Sequence, residues 1–204
     1  MVYIHKKNDE TMEATLIDQD HDIETAPVRI PMSKAEFLRW DADDEFVYEY
    51  SDGFAEQTDS MKNNERHIVR NIQRKFRATE AFRQDGYLFE ESDCWLTTTQ
   101  MRRPDMAFFT DAQIKQSALG LNPIPAFVVE IISRNDHAQK MEKKIVEYFS
   151  AGVQVVWHVY PADLQLVRVF LSARQQATYF DSDVISAAPA LPDLQMTVAE
   201  LFAV

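Results

Sequence analysis

Cysteine is almost absent. The chain has one, Cys94, in 204 residues, which excludes an intramolecular disulfide framework and a cysteine-built zinc site. Long hydrophobic runs are missing too. No apolar stretch approaches the roughly 18–20 residues that span a bilayer, and residues 1–10 are polar, without the apolar core of a secretory signal. These absences suit a reducing cytoplasm, which is the expected location, with no membrane partner. Positive charge is in deficit as well: 21 Lys and Arg stand against 33 Asp and Glu, for a net charge of −12. That balance argues against non-specific coating of nucleic acid, which runs on cations neutralising phosphates. It excludes less than it first suggests, because a metal-dependent site needs its own carboxylates and local patches can oppose the total.

What is present is ordinary for a globular chain: 46% apolar and 26% charged residues, with a length that favours one domain. Residues 1–45 read as an N-terminal extension packed on a domain of residues 46–204. Residues 1–32 are weakly patterned and extended, and the Ser33/Glu36 spacing of a capping box predicts a short helix over 34–40. Strands at 46–51 and 54–58 flank Asp52-Gly53, a type I′ hairpin signal. A helix capped by Asn63 or Asn64 runs to about residue 79. Its face of Ile68, Val69, Ile72 and Phe76 is apolar, and Arg66, Arg70, Arg74 and Arg77 form the opposite stripe. That stripe is either a solvated face or an edge that contacts phosphates.

Period-two patterning then predicts strands at 87–90, 94–98, 106–110 and 127–132. A helix over 136–151 ends at Gly152. Strands at 153–160, 164–170 and 177–180 and a short helix over 198–202 complete the domain. No internal repeat or low-complexity tract divides it.

Two residues contradict their surroundings. Glu130 lies inside Phe127-Val128-Val129-Glu130-Ile131-Ile132, otherwise a buried strand, where an ionised carboxylate is costly unless paired or bound to a metal. Asp105 follows Pro104 at the start of Asp105-Met106-Ala107-Phe108-Phe109. Carboxylates on neighbouring strands can converge on one Mg²⁺ or Mn²⁺, which lowers the pKa of water and neutralises charge developing on a phosphodiester. A lysine that orients the attacking water commonly sits two residues after the second acid. Here that position is Ile132. The next helix offers Lys140, Lys143 and Lys144, with Met141, Ile145, Tyr148 and Phe149 as its apolar face. Lys144 lies roughly 85° from the centre of that face, Lys140 roughly 125°, and Lys143 nearly opposite. Lys144 is the best placed to reach back over the sheet.

Arg103-Pro104-Asp105, Val128-Val129-Glu130-Ile131-Ile132-Ser133, Lys144-Ile145-Val146-Glu147-Tyr148, Ala151-Gly152-Val153 and Trp157, in that order, resemble the Uma-two family. That bacterial group falls in the PD-(D/E)XK, restriction-endonuclease-like superfamily. The resemblance includes Glu49-Tyr50-Ser51-Asp52-Gly53, His67 and Leu191-Pro192-Asp193-Leu194, and covers roughly residues 45–202. It implies an α/β fold, a mixed central β-sheet flanked by α-helices, with the lysine moved from strand to helix. It also implies a Mg²⁺- or Mn²⁺-dependent endonuclease acting on DNA. Asp105 and Glu130 would hold the metal with the backbone carbonyl of Ile131, and Lys144 would position the water.

Two further residues are candidates. Glu65 falls on the apolar side of its helix, where the superfamily often supplies an additional acid; the plainer reading is a first-turn glutamate favoured by the helix dipole. His67 matches the family pattern but points away from Ile68 and Ile72. Two rival functions remain open: a catalytically silent member that binds nucleic acid or a protein, and a small-phosphoester hydrolase. A homodimer, which would help a nuclease cut both strands, is an expectation only.

Overall fold

The computed structural model of the chain describes residues 28–44, 46–58, 62–133, 137–161 and 164–204. Most of the expected extended segment, residues 1–27, lies outside them. Strand β1 (Arg29–Pro31) leads to helix α1 (Lys34–Phe37). The capping box forms as its sequence predicts: the Ser33 hydroxyl accepts the Glu36 N–H, and Glu36 accepts the Ser33 N–H at 2.7 Å. The helix stops short of residue 40, and Trp40 meets Tyr48 edge-on at 4.6 Å instead. Strands β2 (Val47–Ser51) and β3 (Phe54–Thr58) form the expected hairpin. Asp52 and Gly53 hold φ of +46° and +91°, the positive pair a type I′ turn requires.

A 3-10 turn, Asn63–Glu65, precedes helix α2 (Arg66–Phe76). Neither asparagine is the cap; the Glu65 carboxylate reaches back to accept the Lys62 N–H at 2.9 Å and satisfies that end. α2 ends at Phe76, and Thr79 caps a separate helix, α3 (Glu80–Arg83). Strand β4 (Tyr87–Glu90) falls where it was expected. The strand expected over 94–98 stops at Trp95 as β5 (Cys94–Trp95), and a further strand that was not expected, β6 (Gln100–Arg102), follows. The cause is a turn at Thr97–Thr98–Thr99, closed by the Thr99 N–H on the Thr97 hydroxyl, a local bond that competes with the ladder.

Strand β7 (Met106–Phe109) yields one residue early to helix α4 (Asp111–Ala118). Thr110 and Gln113 form a second capping box where the expected strand would still have run. Strand β8 (Phe127–Ile131) and helix α5 (Ala138–Ala151) follow. Gly152 terminates α5 with φ +111°, the left-handed stop glycine adopts most easily. Strands β9 (Val155–Tyr160), β10 (Leu166–Ser172), β11 (Gln175–Phe180), β12 (Val184–Ala187) and β13 (Leu191–Thr197) and helix α6 (Val198–Phe202) complete the order. β12 and β13 were not anticipated.

The central sheet has six strands in the order β11-β10-β9-β8-β7-β4. Among the described residues only β8 and β9 run parallel, joined by α5 as the crossover. A five-stranded sheet, β1-β3-β2-β6-β5, lies beyond α5, and β12-β13 form a two-stranded ribbon. Alternation sorts the central strands. Met106, Phe108, Phe127, Val129, Ile131 and Trp157 pack with α2, α6 and β13. Ala107, Phe109, Val128, Val156 and Phe170 pack with Ile145 and Tyr148 of α5. Each fully buried large side chain of this core contributes roughly 1.5–3 kcal/mol.

Candidate active site

The register brings the two acids together. Met106 pairs with Val129 and Ala107 with Val128 across antiparallel β7 and β8, so one step further puts Asp105 opposite Glu130. Side chains alternate across a sheet. Asp105 shares a face with Ala107 and Phe109, and Glu130 shares it with Val128, the face that α5 covers. Asp105 Oδ2 accepts the Ile131 N–H at 2.6 Å, which pins the carboxylate to the end of β8.

α5 supplies the remaining groups. Lys144 and Tyr148, four residues apart, lie on the same side of the helix. Both reach Glu130 Oε1, Tyr148 OH at 2.6 Å and Lys144 Nζ at 3.3 Å. Lys144 Nζ also donates to Glu49 Oε1 of β2 at 2.7 Å, so one ammonium ties the central sheet to the outer one. Glu49 is held from its other side by the Arg103 N–H at 3.1 Å and by Arg102 Nη1 at 3.3 Å. Arg102 in turn forks onto Glu147 of α5 at 2.7 and 3.0 Å. Lys144, Glu49 and Arg102 are buried; Asp105 is half-buried.

The electrostatics divide the cluster in two. At Glu49, burial works against ionisation, but Lys144 and Arg102 outweigh it and hold the carboxyl at about 2. Glu49 is thus a permanent anion. Asp105 and Glu130 behave differently. Burial and then the Glu130 charge push Asp105 well above the carboxylate range. Burial also raises Glu130, with Glu49 adding to the rise and Lys144 and Tyr148 opposing it. Lys144 is driven up despite burial, because it faces two carboxylates. The centre therefore holds four carboxylates, Glu49, Asp105, Glu130 and Glu147, against Arg102 and Lys144. Two of the four are short of positive charge.

The structure brings Asp105, Glu130, Lys144 and the Ile131 backbone to one place. Of the other lysines, Lys143 turns outward to Glu147 at 3.6 Å with its side chain 54% exposed, and Lys140 lies at the rim among Glu49, Glu56 and Arg102. Glu65 is buried, and its charge is one of those that raise Asp105, although its Oε2 is engaged by Lys62. His67 is half-buried on α2 and makes none of these contacts. Glu49, Arg102, Glu147, Tyr148 and His158 join the cluster without having been candidates from sequence. Glu49 carried a signal, an acid between Tyr48 and Tyr50 in an aromatic strand. His158 pairs with Glu130 across β8 and β9, is buried, stacks on Phe170 at 4.9 Å, and its Nε2 meets no partner among the described residues.

A mixed sheet with one parallel pair, crossed by a helix and flanked by helices on both faces, is a restriction-endonuclease-like fold. A crystal structure from Anabaena variabilis ATCC 29413, titled as a putative nuclease belonging to DUF820, superposes with a TM-score of 0.70. It is 21% identical, with 84% of this chain and 98% of that one covered. The chain belongs to the Uma2 family, described as "Putative restriction endonuclease", whose model matches residues 35–199. No curated protein matches the sequence.

Proposed function

We propose that the chain is a Mg²⁺- or Mn²⁺-dependent endodeoxyribonuclease that hydrolyses DNA phosphodiester bonds at Asp105, Glu130 and Lys144. The observation that carries this reading is the pairing of Asp105 with Glu130 on one sheet face, where burial raises both carboxyls and the Glu130 charge raises Asp105 further. The donor set fits a hard divalent cation, which takes oxygen ligands. Asp105 commits Oδ2 to Ile131 and Glu130 commits Oε1 to Lys144 and Tyr148. No donor among the described residues takes the second oxygen of either. Those two oxygens and the Ile131 carbonyl would hold the ion. When bound, it supplies Lewis acidity and neutralises charge developing on the phosphodiester.

The chain's own groups do the rest. Tyr148 fixes the Glu130 carboxylate in one orientation. Lys144 has three N–H donors, of which Glu49 and Glu130 take two, leaving one to orient the attacking water. Glu130 and Glu49 keep Lys144 charged, and Arg102, by holding Glu49, helps to position it. Glu65 adds negative potential from the turn before α2, while His67 stays outside the reacting set. A cytoplasmic setting agrees with the single cysteine, and among the described residues no helix is long and apolar enough to cross a membrane. Pairing of two chains would present one such site to each DNA strand.

Calorimetric titration with Mn²⁺ tests the metal centre. The native chain is expected to bind the ion and Asp105→Asn to lose it. In chelator the asparagine variant is expected to melt above the native chain, because one of two mutually repelling carboxylates is gone. Equal Mn²⁺ binding by both proteins, or a lower melting point for the variant, contradicts the assignment.

A further inference from the structure

The arginine stripe of α2 is not absorbed by the chemistry above. Its apolar face, Ile68, Val69, Ile72 and Phe76, is buried in the core, which turns Arg66, Arg70, Arg74 and Arg77 outward, all exposed. They line an open groove of about 530 Å³ together with Val69, Gln73, Glu90 and Glu91. Among the described residues no carboxylate forms an ion pair with any of the four guanidiniums, although eleven ion-pair contacts are made elsewhere. Four arginines against two glutamates make the groove net positive in a chain of net charge −12.

The groove also leads somewhere. Arg66 directly follows Glu65, whose charge acts on Asp105. On the opposite lip, the Glu91 N–H donates to the Asp105 carbonyl at 3.2 Å. The Arg66 end of the groove therefore lies next to the segment that carries Asp105.

We infer that this groove is the track on which the phosphate backbone of duplex DNA docks, leading a strand to Asp105 and Glu130. The inference rests on the nuclease reading and assigns its substrate contacts. From Arg66 to Arg77 the helix rises about 16 Å. Phosphates of one strand advance by about 3.4 Å along the duplex axis, so the track spans roughly five of them. Arginine suits the task because its planar fork holds phosphate oxygens in pairs. Contacts of this kind fix position and register without reading sequence.

The test is fluorescence anisotropy of a short labelled duplex in chelator, so that no cleavage is needed to see binding. Arg66→Ala/Arg74→Ala is the variant of choice, because Arg70 also touches the Ala203 carbonyl. It is expected to bind about ten-fold more weakly. The slope of log affinity against log salt should fall by about two, with the melting temperature and Mn²⁺ binding unchanged. Arg66→Lys/Arg74→Lys should recover most of the salt slope. Unchanged affinity and slope in the alanine variant, or no duplex binding by the native chain, overturns the inference. Failure of the nuclease reading looks different: binding through the groove persists, and no bond is cut when Mn²⁺ is added.

Discussion

His158 shows how the site's charges reach beyond the acids. It is buried beside Glu130 in register, and burial, then Lys144 and Arg168, bring it down to about 3. In the unfolded chain an imidazole titrates near 6.5. The folded value lies below the unfolded one, so between them the unfolded chain binds more protons. Its contribution to stability is intact above 6.5 and is lost as pH falls through that window, by at most about 1.4 kcal/mol per pH unit. His158→Phe keeps the stack on Phe170 and removes the titration. Urea unfolding should show the native chain losing about 2 kcal/mol more than this variant between pH 7.5 and 5. Equal losses would mean that His158 is not held neutral. At this scale the sequence was legible where a charge contradicted its strand. Asp105 and Glu130 stood out for that reason, and Glu49 carried the same mark in Tyr48-Glu49-Tyr50. His158 did not stand out, because a histidine in Val155-Val156-Trp157-His158-Val159 does not reveal which sheet face it joins.

The helices owe their places to side chains that close their ends. Asn71 sits buried in the middle of α2, and its amide donates to the Leu201 and Ala203 carbonyls at 3.0 and 2.7 Å. It satisfies the end of α6 and locks that helix to α2, on which the arginine groove is built. Asn71→Ala leaves those carbonyls without their donor and should cost about 1–3 kcal/mol, read by urea unfolding, with faster amide exchange in α6. A change below about 0.5 kcal/mol, with α6 exchange unaltered, would show that the contact contributes little. The Ser33/Glu36 capping signal made α1 legible, and Gly152 marked the end of α5. The same signal at Thr110 and Gln113 announced α4, but the preceding strand masked it. β12 and β13 were harder. Leu191, Leu194 and Met196 enter the core from a two-stranded ribbon interrupted by an irregular register, so neither strand shows clean alternation.

Across the whole molecule, the site exists because three layers meet at Lys144. The central sheet brings Asp105 and Glu130, the outer sheet brings Glu49 and Arg102, and α5 runs between them with Lys144, Glu147 and Tyr148. A helical wheel could point Lys144 toward the strand acid, but it carries no information about the second sheet. That contact joins residues far apart in sequence and is set by tertiary packing alone. The acidic composition is legible in the same terms: part of it builds the centre, while four exposed arginines are gathered along α2. The central claim is that this centre cuts DNA, and plasmid cleavage with Mn²⁺ or Mg²⁺ tests it most directly, comparing the native chain with Glu130→Ala. The account predicts metal-dependent conversion of supercoiled plasmid by the native chain and none by the variant, with the variant still folded. Unchanged metal-dependent cleavage by Glu130→Ala, or no cleavage by a native chain that binds the metal, would contradict it.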